Sequence, residues 1–158
     1  MTHATGRTEE ARETPPPWAP ATADWMAVHR AHARVTDAVE RALDRRHRLR
    51  VSEFHVLAAL AGAPERSLRM QDLAEAVGLT HSSVSRLTGR LEDRSLCERC
   101  LCPDDRRGVF GRLTDQGAEL AALAAVTYAE ALSAVLSRSG MAVDRTPGGL
   151  HFLVGPSA

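Results

Sequence analysis

The residues with chemistry to offer cluster between His81 and Arg107 of the 158-residue chain. His81, Ser82, Ser83, Ser85, Arg86 and Arg90 combine short hydroxyls, an imidazole and guanidinium groups. Such side chains suit hydrogen bonds to base edges and phosphates. Further on, Asp104, Asp105, Arg106 and Arg107 sit together after Pro103. Arginine at a protruding tip is favoured by the negative potential of a DNA minor groove. Between the two groups lie Cys97, Cys100 and Cys102, the only cysteines, in a C-x-x-C-x-C pattern that invites zinc or thiol chemistry. On a strand, alternation places Cys100 and Cys102 on one face and Cys97 on the other. A tetrahedral metal site would then need distant ligands such as His81 or a second chain, so small apolar packing residues are the simpler account. No Ser, His and Asp share a nucleophile setting, no glycine-rich phosphate loop occurs, and no histidine pair has metalloprotease spacing. We therefore expect neither an enzyme nor a cofactor.

Positioning these residues takes two short helices, then two strands. Leu73, Val77, Leu79, Val84 and Leu87 have the apolar spacing of a helix-turn-helix, with small Ala74 allowing close approach. Gly78 can take positive φ at the turn. That set faces the core and turns His81, Ser82, Ser83, Ser85 and Arg86 outward. Leu96 to Cys102 and Gly108 to Leu113 are runs of strand length, and Pro103 to Arg107 supply the turn of a wing. Arg69 falls where a short strand would pair with that wing.

The segment DDRRGVFGRLTDQG resembles the wing signature of the MarR family of bacterial transcriptional regulators, an acidic-x-Arg tip followed by a strand ending in LT-x-x-G. The resemblance covers roughly Trp25 to Ser137 and is strongest from Leu68 to Gly117. It implies that Asp105 orients Arg107 and that Arg107 enters the minor groove. Ser82, Ser83, Ser85 and Arg86 match the base- and phosphate-contacting part of the family's recognition helix. Where the family usually has glycine, just past that helix, this chain has Ser95.

Length and composition agree with one domain whose core is Leu, Val and Ala, at 44% hydrophobic and only 4% aromatic residues. All 20 basic residues are arginine, and Lys, Asn and Ile are absent, the bias of a GC-rich genome. Net charge is zero, so the chain is no generic polycation. From Arg86 to Arg112, however, seven arginines face five carboxylates. Binding should rest on placement rather than bulk charge. No unbroken apolar run approaches a membrane span and no signal sequence is evident, so a cytoplasmic protein without membrane contact is expected.

Along the chain, residues 1–23 read as a disordered, proline-rich arm. A helix should start near Asp24, carrying an interface stripe of Trp25, Val28, His32, Val35, Val39 and Ala42. Ser52 is the expected cap of a second helix built on Phe54, Leu57, Ala58 and Ala61, with His55 on its exposed side. Thr114 should cap an alanine-rich helix reaching about Ser137. Residues 139–158 read as an irregular tail because of Pro147, Gly148 and Gly149. The expected fold is mainly α with a small β-wing: residues 24–138 form the winged helix domain. Within it, 66–113 form a winged helix-turn-helix DNA-binding lobe, and 24–62 with 114–138 form a helical dimerisation layer.

The function expected is a sequence-specific regulator that binds a pseudo-palindromic double-stranded DNA operator as a homodimer. The resemblance suggests repression relieved by a small-molecule effector in a cleft between the dimer layer and the DNA lobe, with Trp25, His29, Phe54 and Leu123 as candidate lining. Two alternatives use the same fold: a thiol- or metal-responsive regulator working through Cys97, Cys100 and Cys102, and a protein-interaction winged helix that binds no DNA.

Overall fold

The computed structural model describes residues 18–102, 105–138, 142–146 and 149–153, with side chains over 18–101 and 108–138. The chain divides into two units, Met1–His32 and Ala33–Ala158. Helix α1 (Ala19–His47) starts earlier than the expected Asp24. Pro20 needs no N–H in a first turn, and the Trp18 carbonyl accepts hydrogen bonds from the Thr22 backbone N–H and hydroxyl, both at 3.0 Å. Residues 19–23 of the expected arm are thus helical, and residues 1–17 lie outside the described residues. Within the first unit Trp25, Met26, Val28 and His32 of the stripe-bearing segment are exposed. In the second unit Val39 and Leu43 are fully buried, and Val35 packs against the same core. That half of the stripe belongs to the protein's own interior.

Helix α2 (Val51–Gly62) does not use Ser52 as its cap; Ser52 lies inside the helix. Two carboxylates take the role instead. Glu53 accepts from the Arg50 N–H at 3.1 Å and Glu40 of α1 accepts from the Val51 N–H at 2.8 Å, satisfying donors that a helix start leaves open. After a short 3₁₀ turn at Pro64–Arg66 come strand β1 (Ser67–Arg69) and helix α3 (Met70–Val77). Gly78 has φ +67°, and the Leu79 N–H reaches back to the Ala74 carbonyl at 3.0 Å. This left-handed cap ends α3 and aims the chain into helix α4 (His81–Asp93). Leu73, Ala74, Val84 and Leu87 are buried as expected, whereas Leu79 sits at the turn and is 37% exposed.

The end of α4 carries the same device on a harder residue. Ser95 takes φ +59°, its N–H bonds the Glu92 carbonyl at 2.8 Å, and the Leu96 N–H bonds that of Leu91 at 2.9 Å. Both orphan carbonyls are closed without glycine, and buried Leu91 and Leu96 supply the apolar seal. The sheet that follows has the order β1-β3-β2, from strand β2 (Cys97–Cys102) and strand β3 (Asp105–Leu113). Arg69 pairs with Phe110 in register, and its guanidinium carbon lies 5.6 Å from the Phe110 ring centroid.

Helix α5 (Asp115–Arg138) starts where expected: the Gly117 N–H donates to Thr114 Oγ1 at 3.0 Å, and that hydroxyl donates to the Ser95 carbonyl at 2.8 Å. A Cβ on Gly117 would collide with the Leu96 carbonyl. The glycine of LT-x-x-G is therefore a contact point between α5 and the end of α4. By length and mean hydropathy α5 could also span a bilayer, against the expectation from unbroken runs. Here Ala121, Ala124 and Thr127 bury its inner side, and Tyr128 stacks on Phe54 of α2 at 4.9 Å. The tail is not irregular throughout: strands β4 (Ala142–Thr146) and β5 (Gly149–Leu153) pair antiparallel. Of the residues read as helix breakers, Gly149 is the first residue of β5, and Pro147 and Gly148 lie outside the described residues.

Candidate nucleic-acid interface

Helix α4 is amphipathic with two well-separated sides. Val84, Leu87, Thr88 and Leu91 are buried, while Ser82, Arg86 and Arg90, spaced four apart, form one outer stripe. Its start is fixed by Thr80, whose Oγ1 accepts from the Ser83 N–H at 3.3 Å and bonds the hydroxyls of Ser83 at 2.9 Å and Ser82 at 3.2 Å. Ser83 and Ser85 are half-buried, and His81, Ser82, Arg86 and Arg90 are exposed. Arg86 has no hydrogen-bond or ion-pair partner among the described residues. An unpaired exposed guanidinium on a helix surface keeps all five donors for a ligand.

Arg90 differs. Its Nε donates to Oε1 of Glu53 at 3.1 Å, and that carboxylate is only 8% exposed. Arg94 approaches the other Glu53 oxygen at 3.9 Å and donates to the carbonyls of Arg48 at 2.9 Å and His47 at 3.4 Å. Sequence spacing marked Arg90 as a contact residue but held no sign of Glu53, which lies 37 residues away and reads as an ordinary helix-start acid.

The wing is tied to the same helix. Glu92 accepts from the Arg99 backbone N–H at 2.9 Å and from its Nε at 2.8 Å, and these bonds hold the Glu92 carboxyl below its usual range. From Cys97↔Leu113 to Leu101↔Val109 the wing ladder is regular, then the register shifts so that Cys102 faces Asp105. Arg106, Arg107 and Gly108 are the residues that this shift leaves over, at the distal end of the hairpin. Strand β3 therefore begins within the expected turn. The side chains of Asp105, Arg106 and Arg107 lie outside the described residues, as do Pro103 and Asp104.

Cys97 is buried against α4, its Sγ donating to the Thr88 carbonyl at 3.6 Å. Burial pushes its thiol up to about 11. Cys100 is half-exposed, and the Cys102 side chain lies outside the described residues. No three His, Cys, Asp or Glu side chains converge on a metal-sized site among the described residues.

The four cleft candidates fall in different units. Trp25 and His29 belong to the first unit and are exposed there; in the second, Phe54 is buried and Leu123 is 63% exposed. Phe54 instead joins His55 and Tyr128 in an aromatic cluster with centroid separations of 4.9 to 6.1 Å. His55 was expected on an exposed side; it is half-buried, and burial lowers its pKa. A separate groove of about 380 Å³ between α1 and α5 is edged by Arg41, Arg45, Arg46, Glu130 and Arg138, and none of the four candidates lines it.

Comparison with known proteins places this geometry. Residues 49–108 match the model of the MarR family. An uncharacterized HTH-type transcriptional regulator, YhbI of Bacillus subtilis, is 44% identical over 64 residues, covering 40% of this chain and 42% of that protein. The match thus spans less than half the length of that relative. Among solved structures, Sco3205, a MarR family transcriptional regulator from Streptomyces coelicolor in complex with DNA, superposes with a TM-score of 0.73 at 29% identity, over 87% of this chain and 83% of that one. AbsC, a MarR family transcriptional regulator from the same organism, gives a TM-score of 0.72 at 25% identity over 79% and 84%.

Proposed function

We propose that this chain is a regulator of the MarR kind, whose family model matches residues 49–108, and that it is a sequence-specific transcriptional regulator that binds double-stranded DNA as a homodimer. The observation that carries the reading is the Thr80-capped helix α4, with Ser82, Arg86 and Arg90 in one outward stripe, beside a wing whose leftover residues include Arg106 and Arg107. A structured relative, Sco3205, is seen with DNA on the same fold. In this reading residues 66–113 are the DNA-binding lobe, α4 lies in a major groove, and the wing tip reaches the neighbouring minor groove. Two copies related by a two-fold axis would meet half-sites about one helical turn apart. Repression by occupancy in the cytoplasm follows, with relief by a small-molecule effector. Of the expected lining, Phe54 lies in an aromatic cluster with His55 and Tyr128 between α2 and α5, and in this reading that cluster forms part of the effector cleft.

The test is titration of one operator duplex, selected from genomic fragments by the purified protein, at two salt concentrations. Arg86→Ala and Arg107→Ala should each cost about 1–3 kcal/mol per protomer, with little loss of folding. Asp105→Ala separates two ideas by sign. Removing a negative charge near DNA should tighten binding if only charge matters, but weaken it if Asp105 orients Arg107. Tighter binding by Asp105→Ala together with a neutral Arg107→Ala would remove the wing from the reading.

A further inference from the structure

We propose that Glu53 is a positioning residue for DNA recognition: it orients Arg90 so that the outer edge of its guanidinium meets a backbone phosphate. The inference rests on the DNA-binding reading above and adds a part that no contact with DNA would reveal. Glu53 stands on α2 and Arg90 on α4, and both oxygens of the carboxylate are engaged. Oε1 accepts from Arg90 Nε at 3.1 Å and Oε2 from the Arg50 N–H at 3.1 Å. The backbone bond anchors the carboxylate to the start of α2, so it is a fixed acceptor rather than a mobile one.

The exposure of the two partners is unequal, and that inequality carries the proposal. Glu53 is 8% exposed, while the Arg90 side chain is 51% exposed. One edge of the guanidinium is therefore spent inward through Nε, and the Nη groups remain at the surface. Arg90 also lies four residues after Arg86, on the stripe that faces outward. A free arginine must freeze several rotors to bind phosphate, whereas one already held by Nε has lost that freedom beforehand. A carboxylate behind the guanidinium does not cancel its use as a donor, because the fork carries five N–H groups and Nε uses one. Glu53 itself is too deeply buried to touch DNA. Arg94 closes the same carboxylate from the other side at 3.9 Å and ties it to the His47 and Arg48 carbonyls. The latch thus joins the α1–α2 junction to the recognition helix.

A purely structural ion pair between α2 and α4 would be the plain alternative, and the experiment separates them. Full-length parent, Arg90→Ala, Arg90→Lys, Glu53→Gln and the Glu53→Gln/Arg90→Ala double variant are titrated on operator and random duplexes across salt concentrations, with thermal unfolding in parallel. Arg90→Ala should weaken both duplexes alike, by about tenfold per charge-assisted bond, and lower the salt slope by about one per protomer. Arg90→Lys keeps the charge but lacks Nε and the fork, so it should lose nearly as much affinity as Arg90→Ala. Glu53→Gln should weaken binding in the parent and add nothing once Arg90 is alanine. Parental affinity in Arg90→Lys, or an unchanged salt slope in Arg90→Ala, overturns the proposal. So does a Glu53→Gln loss that persists in the double variant. Because Arg90 is half exposed, its two variants should fold even if Glu53→Gln does not. A parent that binds no duplex at all instead defeats the DNA-binding reading itself.

Discussion

A thiol and a guanidinium of the same lobe can have opposite chemical fates, and burial decides which. Cys97 is 2% exposed and its thiol is pushed up to about 11, so at neutral pH only about one molecule in ten thousand carries the thiolate that oxidation and alkylation require. Arg86, by contrast, is exposed with no partner among the described residues. Cys97 should therefore stay unmodified when native protein is treated with iodoacetamide near neutral pH, while Cys100, which is half-exposed, reacts. Mass spectrometry of peptides from a time course would show it. Cys97 labelling as fast as Cys100 would restore the thiol-switch alternative. In a strand, the same three cysteines read from spacing alone looked equivalent except for face, because spacing holds no information about which face is covered by α4.

At the scale of elements, the joints matter more than the rods. The α4–wing–α5 corner is closed by Ser95 in a left-handed conformation, by the Thr114 hydroxyl on the Ser95 carbonyl, and by Gly117 against Leu96. Gly117→Ala must push α5 away from a backbone carbonyl that has no side-chain freedom to yield. It should cost about 1–3 kcal/mol, as overpacking does, and lower the unfolding temperature, while the neighbouring Gln116→Ala stays near neutral. An unchanged melting curve for Gly117→Ala would mean the corner is looser than its geometry. Much of this element order was legible beforehand, since the apolar spacing from Leu73 to Leu87, Gly78 at φ +67° and Thr114 as a cap are local signals that local sequence can carry. What could not be read depended on distant partners. Ser52 lost its capping role to Glu40 and Glu53, Phe54 stacks on Tyr128 of α5, and half of the α1 stripe went into the core. Glu53 behind Arg90 is the same lesson at the site: its meaning comes from α4 folding onto α2, not from its neighbours in sequence.

At the scale of the whole molecule, the proposed dimer needs a surface with no interior to fill. Val35 and Val39 of the α1 stripe do not provide it, because Val39 is 2% exposed and Val35 packs on the core; charging them would unfold a monomer and a dimer alike. The apolar residues with no interior to fill are elsewhere. Leu123 and Val126 on α5 are 63% and 59% exposed, and in the first unit Trp25 and Val28 are 67% and 54% exposed. Three residues apart on a helix, Leu123 and Val126 share a face, and clustered apolar exposure of this kind marks an association surface. Leu123→Glu with Val126→Glu should therefore give a folded monomer by sedimentation equilibrium, with helix content by circular dichroism unchanged because neither side chain supports the interior. The consequence for DNA is larger than a halving of contacts. In a dimer the second half-site is met at high effective concentration, so the monomer should lose affinity for a two-half-site operator by far more than for an isolated half-site. A double variant that remains dimeric and binds the full operator as the parent does would place the interface on another face.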